Sequence, residues 1–156
     1  MIRPFRDDDA PALAALFHAA VHRIAAPHYT QAQVRAWAPE APDPERYRGR
    51  AADGRLLLVA ADADDAPLAY GDLEADGHID HLYCRPDAAG TGVAAALYAE
   101  IEAAARARGI GRLYTEASEP ARRFFLKRGF SVVARNDFEL AGVPIHNMRM
   151  EKRLEE

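Results

Sequence analysis

Ile79-Asp80-His81-Leu82-Tyr83-Cys84-Arg85-Pro86-Asp87-Ala88-Ala89-Gly90-Thr91-Gly92-Val93-Ala94 is the stretch on which the reading of this chain turns. Its first part, Gly77 to Cys84, reads as a strand. A loop of small residues follows, and Gly92 opens an amphipathic helix to Arg108. Val93, Leu97, Ile101 and Ala104 share one face of that helix, and Gly109 is its C-cap. At such a junction the first N–H groups of the helix point at one spot, and the helix dipole adds positive potential. Gly90 and Gly92 let an anion approach the backbone where a Cβ would stand in the way. Glycine pairs also serve merely to turn a chain, so the loop alone names no ligand. Position 95 is alanine, which breaks the G-x-G-x-x-G dinucleotide pattern, and no Gly-Lys-Ser/Thr is present for a triphosphate loop.

Within the strand, Ile79 and Leu82 are both apolar but of opposite parity. This predicts a bulge between them that splays the sheet and opens a slot. Upstream, Ile2 to Phe5 predicts a strand and Asp8 to Ala25 a helix, with Leu13, Leu16, Phe17, Ala20, Val21 and Ile24 at helical spacing. Thr30 and Gln33 form a capping-box pattern for a second helix to about Ala38, and Pro44 to Arg50 a short third. Arg55 to Asp62 and Pro67 to Glu74 read as a hairpin around Asp64-Asp65. Downstream come a strand at Leu113 to Ala117 and a helix starting at Pro120 and stopped by Gly129. A hairpin of Ser131 to Leu140 with Val143 to Lys152 ends the chain. The order predicts one mixed α/β (α+β) domain over residues 1–156, with a mostly antiparallel sheet and helices on both faces.

The composition narrows the function. Twenty Lys and Arg against 24 Asp and Glu give a net charge of −4, which disfavours a nucleic-acid binder. No apolar run is long enough for a membrane span, and the N-terminus lacks a signal core. One cysteine, Cys84, rules out an internal disulfide framework and a Cys-x-x-Cys metal knuckle, and suits a reducing cytoplasm.

Two segments together resemble the GNAT superfamily of acyl-CoA-dependent N-acyltransferases. The family's pyrophosphate loop, [QR]-x-x-G-x-[GA], falls on Ala89 to Ala94 with Gly92 and Ala94 at its small positions. Ala89 departs from the Gln or Arg. Ala121 to Phe130 resembles the family's A-x-x-x-Y-x-x-x-G-F helix, with Phe125 at the Tyr position. The wording of the first two helices is similar to a bacterial, YafP-like branch. The resemblance implies a GNAT-type sheet splayed at the cofactor slot. It implies acetyl-CoA as cosubstrate and a small-molecule or peptide amine as acceptor, with no metal. Family members are often dimers, so it also admits a homodimer.

Carried over residue by residue, the resemblance puts the pyrophosphate on Ala89, Gly90, Thr91, Gly92, Val93, Ala94 and Ala95. It runs the pantetheine along Leu82, Tyr83 and Cys84, with the Leu82 N–H as donor to the thioester carbonyl. Ser118 and Phe125 flank the thiol end. His78 falls where the family has a base, and Asp80 follows two residues on. A neutral imidazole suits that task near pH 7. His81 is expected on the opposite face, with Glu74 and Glu116 as water relays. Phe125 has no proton to give, which leaves Tyr83 or Tyr114 as acid, or no dedicated acid at all. His22, Tyr29 and Trp37 are the expected acceptor contacts. His18 and His22 stand at i, i+4, but no HExxH pattern supports a zinc hydrolase. A protein that binds acyl-CoA as a sensor, having lost the helical acid, is the second expectation.

Overall fold

The structure, a computed structural model, describes residues 1–154. In chain order the elements are β1 (Ile2–Pro4), α1 (Ala10–Ala20), α2 (Gln31–Trp37), α3 (Glu45–Ala52), β2 (Leu56–Ala61) and β3 (Pro67–Leu73). Then follow β4 (Leu82–Cys84), α4 (Val93–Ala107), β5 (Arg112–Ala117), α5 (Glu119–Leu126), β6 (Ser131–Leu140) and β7 (Val143–Arg153). The strands form two antiparallel sheets, ordered β1-β2-β3-β4 and β5-β7-β6.

Alternation along β2 fixes the two cores. Leu58 and Ala60 pack toward α4 with Leu97, Ile101 and Leu113, while Leu57 and Val59 pack toward α1 and α3 with Leu13 and Tyr47. Helices therefore cover both faces, as expected. The capping box that opens α2 is present, with the Gln33 N–H donating to Thr30 Oγ1 at 3.1 Å and the Thr30 N–H to Gln33 Oε1 at 2.9 Å. The first helix differs from expectation. Regular α-helix stops at Ala20, and Val21–Ala25 winds on as a wider π turn before a 3-10 turn at Ala26–His28.

The decisive difference lies at residues 77–84. The single strand expected there is two pieces belonging to different sheets. The Ile79 N–H donates to the Tyr114 carbonyl at 2.9 Å and the Tyr114 N–H to the Gly77 carbonyl at 3.1 Å, a short parallel link to β5. Leu82–Cys84 pairs instead with β3, as Gly71↔Leu82, Tyr70↔Tyr83 and Ala69↔Cys84. The parity break between Ile79 and Leu82 is this crossing from one sheet to the other. Gly77 is required at its start: φ is +98°, and a Cβ would lie 2.0 Å from the Arg112 carbonyl oxygen. Beyond the link, β4 and β5 diverge as two free edges, and the slot lies between them.

Candidate active site

The crossing is held by one buried carboxylate. Asp72, at 0% exposure, accepts from the backbone N–H groups of Asp80 (2.8 Å) and His81 (2.9 Å). It also accepts from Arg50 at 3.1 Å and Arg55 at 3.0 Å. A backbone that leaves the ladder must find other partners for its N–H groups. Here a side chain from β3 supplies them.

On one side of the slot, β4 offers its outer edge. The Asp72 N–H donates to the His81 carbonyl at 3.1 Å and the Arg85 N–H to the Leu68 carbonyl at 2.7 Å. Residues 81, 83 and 85 thus face β3, and in an antiparallel ladder the intervening Leu82 and Cys84 turn their N–H and C=O groups outward. They face the slot. At its end Gly90 and Gly92 have φ of +78° and +90°, and a Cβ on either would meet no protein atom within 4 Å. The N–H groups of Gly90, Gly92, Val93, Ala94 and Ala95 have no backbone acceptor among the described residues. Thr91 does not belong with them: its N–H is spent on the Ala88 carbonyl at 3.2 Å, and its hydroxyl donates to the same oxygen. Ala89 likewise donates to Pro86 at 3.3 Å. Cys84, Gly90, Gly92, Arg123, Lys127 and Arg128 wall the hollow there. Three cations from the α5 region thus face the loop. They lie within the helix motif Ala121 to Phe130, where no local pattern marks them as neighbours of the loop.

Two cavities adjoin along the slot. One, of about 140 Å³, lies under the β4 edge and is mostly apolar, with Cys84, Ala94, Phe124 and Phe125 in its wall. The other, of about 280 Å³, lies against α1, α2 and the β6–β7 hairpin. Trp37, Leu82, Tyr83, Ser118, Ala121 and Phe125 line both, so the two meet at these residues. Tyr83 packs edge-on to Phe17 and His81 and has no protein hydrogen-bond partner for its hydroxyl among the described residues. Burial raises its pKa, so the phenol keeps its proton. Phe125 is 2% exposed and packs edge-on to Phe124, Phe130 and Tyr98. Ser118 caps α5 without a side-chain hydrogen bond.

His78 is not the neutral imidazole expected. Its Nδ1 lies 3.2 Å from Glu74 Oε2 and its Nε2 2.7 Å from Glu116 Oε1. The hydrogen bond with Glu116, together with that of Glu74, raises its pKa to about 9 against the cost of burial, so near pH 7 it is an imidazolium. Asp80 does not share a strand face with it. Asp80 is drawn to Arg50, with Arg55 at 3.4 Å. Burial opposes its ionisation, but Arg50 and His78 hold its pKa below the usual range. One ligand atom each from His78, Asp80 and Glu116 falls within 4.8 Å of the others, but these groups are already matched by Arg50, Arg55 and the imidazolium. Tyr114 is occupied too, donating to Asp76 and stacking on His78. That hydrogen bond lifts its pKa to about 12.

His81, expected to face away, is in the cavity wall, because no strand geometry governs residues 80–81. Its Nδ1 is 2.9 Å from the Tyr70 hydroxyl, which is 3.1 Å from that of Tyr47. Burial, then Arg50, lowers its pKa to about 4 and keeps it neutral. Of the expected acceptor contacts, Tyr29 and Trp37 line the larger cavity and pack edge-on. The Tyr29 hydroxyl also accepts the Glu119 N–H at 2.9 Å. His22 is absent from both walls. Its Nε2–H donates to the Ala38 carbonyl at 2.6 Å and its ring stacks on His18. Phe138, Leu140, Ile145, His146 and Asn147 complete the larger cavity. Sequence reasoning missed them because only the fold brings the last hairpin to β4.

Two sheets that diverge at an edge strand, with a loop of unpaired amides at one end of the gap and a cavity at the other, define an acyltransferase of the GNAT type. Residues 25–152 match the family described as acetyltransferase (GNAT) domain, and the chain belongs to that family. It is 28% identical over 149 residues to the uncharacterised N-acetyltransferase YafP of Escherichia coli K12, covering 96% of this chain and 93% of that one. A crystal structure of a GCN5-related N-acetyltransferase from Rhodopseudomonas palustris superposes with a TM-score of 0.90 at 35% identity, over 99% of this chain and 95% of that one. The fold is shared with the PaiA N-acetyltransferase of Thermoplasma acidophilum, solved with coenzyme A. There the TM-score is 0.79 at 20% identity, over 99% of this chain and 98% of the other. No helix among the described residues is long and apolar enough to cross a membrane.

Proposed function

We propose that the protein moves the acetyl group of acetyl-CoA to a primary amine by direct attack with both substrates bound. The observation that carries this reading is the meeting of two cavities at the free edge of β4, one leading to the unpaired amides of the α4 loop and one closed by the last hairpin. In this reading those amides and Arg123, Lys127 and Arg128 hold the phosphates. The outward groups of Leu82 and Cys84 pair with the pantetheine arm as an added strand would, and the Leu82 N–H donates to the thioester oxygen. YncA of Salmonella typhimurium, which shares the fold, was solved with acetyl-CoA. The setting is the cytoplasm, where the Cys84 thiol stays reduced.

The amine arrives as an ammonium and must lose a proton. His78, already protonated, does not take it. Of the two carboxylates on the cavity wall, Asp80 faces two guanidinium groups and Glu116 one imidazolium, so Glu116 is the better acceptor, directly or through water. Tyr83, which lines both cavities, donates a proton to the departing thiolate and takes the place left by Phe125. Thiol release from acetyl-CoA with a panel of amines, beside thermal shift with CoA, tests the proposal. Amine-dependent thiol release supports it. Stabilisation by CoA without any acetylation favours the acyl-CoA sensor, the reading that Phe125 keeps alive. No stabilisation at millimolar CoA sinks both, since a ligand at about 100 times its Kd adds roughly 2.7 kcal/mol.

A further inference from the structure

The larger cavity differs from the rest of the surface in what its wall leaves out. Phe17, Tyr29, Trp37, Phe138, Leu140 and Ile145 give it aromatic and aliphatic walls between polar groups such as Thr115, Ser118 and Asn147, and among the described residues no Lys or Arg lines it. Its two imidazoles offer no free cation. His81 is neutral, and His146 Nε2 is engaged by Glu119 Oε1 at 2.8 Å. A carboxylate brought in with the acceptor would meet neutral donors such as the Ser118 and Tyr83 hydroxyls but no cation to balance its charge. Of the wall's two carboxylates, only Glu116 is left for the reacting amine. Asp80 is held by Arg50 and Arg55, and Glu116 by His78 at 2.7 Å. A second ammonium would therefore find no unmatched charge. The cavity's volume, about 280 Å³, is that of a small-molecule site at the low end of the usual range.

We infer that the acceptor is a singly charged amine: a primary amine on a compact apolar, preferably aromatic body, bearing neither a carboxylate nor a second ammonium. Flat rings stack and pack edge-on against walls of this kind, and the amine then points to Glu116 and the β4 edge. This inference rests on the acetyltransferase reading and narrows it.

The test compares four acceptors under saturating acetyl-CoA: 2-phenylethylamine, L-phenylalanine, L-phenylalanine methyl ester and spermidine. The kcat/KM for 2-phenylethylamine should exceed that for L-phenylalanine and for spermidine by about 10²-fold or more, as expected when a site lacks the partner a polar group needs. The methyl ester, which keeps the bulk and loses the charge, should recover to within about tenfold of 2-phenylethylamine. Leu140→Arg, which places a cation in the wall, should move the preference toward L-phenylalanine. Equal rates for acid and amine, an ester as slow as the acid, or a folded, CoA-binding Leu140→Arg variant with unchanged preference would overturn the inference and leave the acetyltransferase reading standing. Failure of all four acceptors in protein that CoA stabilises would remove that reading, and the inference with it.

Discussion

At the loop end of the slot, the loop itself offers only backbone N–H groups, of Gly90 and Gly92 to Ala95, with Arg123, Lys127 and Arg128 opposite. At the acceptor end they are side chains brought from α1, α2, β5 and the β6–β7 hairpin. The first end needs a local conformation, which a short motif can write. It tolerates Ala89 where the family has Gln or Arg, because the loop's donors are not side chains. The second end needs the tertiary fold, and its chemistry depends on which charges have already found partners. Backbone sites are thus legible early, and side-chain sites only once the chain is folded.

The largest effect should come from the side-chain end. Tyr83→Phe should lower kcat by about 10²–10⁴-fold, the usual worth of general acid help, with the KM for acetyl-CoA nearly unchanged. Stopped-flow thiol release would show it, and a wild-type rate would move the proton donor elsewhere. At the backbone end, Gly92→Val should weaken CoA binding by roughly 10²-fold in calorimetry. The cause is conformational: φ of +90° strains a β-branched residue, although its Cβ would touch no protein atom. A loss under threefold would mean that the amides do not hold the phosphates.

A third test separates charge from catalysis at His78. Its raised pKa means that the ionised pair stabilises the fold fully below the ordinary value of 6.5, and that this is lost as pH climbs through about 9. Urea denaturation should show stability falling by on the order of 1–2 kcal/mol across that window, and His78→Gln should flatten the fall. An equal fall in the variant would put the titration elsewhere. The smallest effect is expected of Ala89→Gln, which restores the family residue. CoA affinity should change by less than about threefold, one weak hydrogen bond's worth. A tenfold gain would show that the loop does depend on side chains.

The order of elements was readable from periodicity, turns and caps, though not the bounds of the first helix or of the strand at residues 77–84, and the parity of Ile79 and Leu82 marked the opening. What could not be read was where that parity led. A strand from Gly77 to Cys84 would set His78 and Asp80 on one face and His81 on the other. The chain instead changes sheets there, so Asp80 turns to Arg50 while His81 joins the cavity wall. Asp72 and Arg50, which enforce this, lie in β3 and α3 and bear no motif. The His22 ring is taken up by the Ala38 carbonyl, a contact that helical spacing does not foretell. Phe138 and Ile145 are distant in sequence, and no local pattern ties them to β4.

The Asp72 clasp has a consequence for how such a protein can change. The hydrogen bonds that keep the crossing in place come from Asp72, from Arg50 and Arg55, and from β5 at its start, and none from the hairpin or the first two helices that wall the acceptor cavity. The opening therefore persists whatever those walls are made of. New acceptors can be recruited by exchanging side chains on the hairpin, one at a time, without rebuilding the reaction centre, which makes this corner of the molecule the natural ground for divergence.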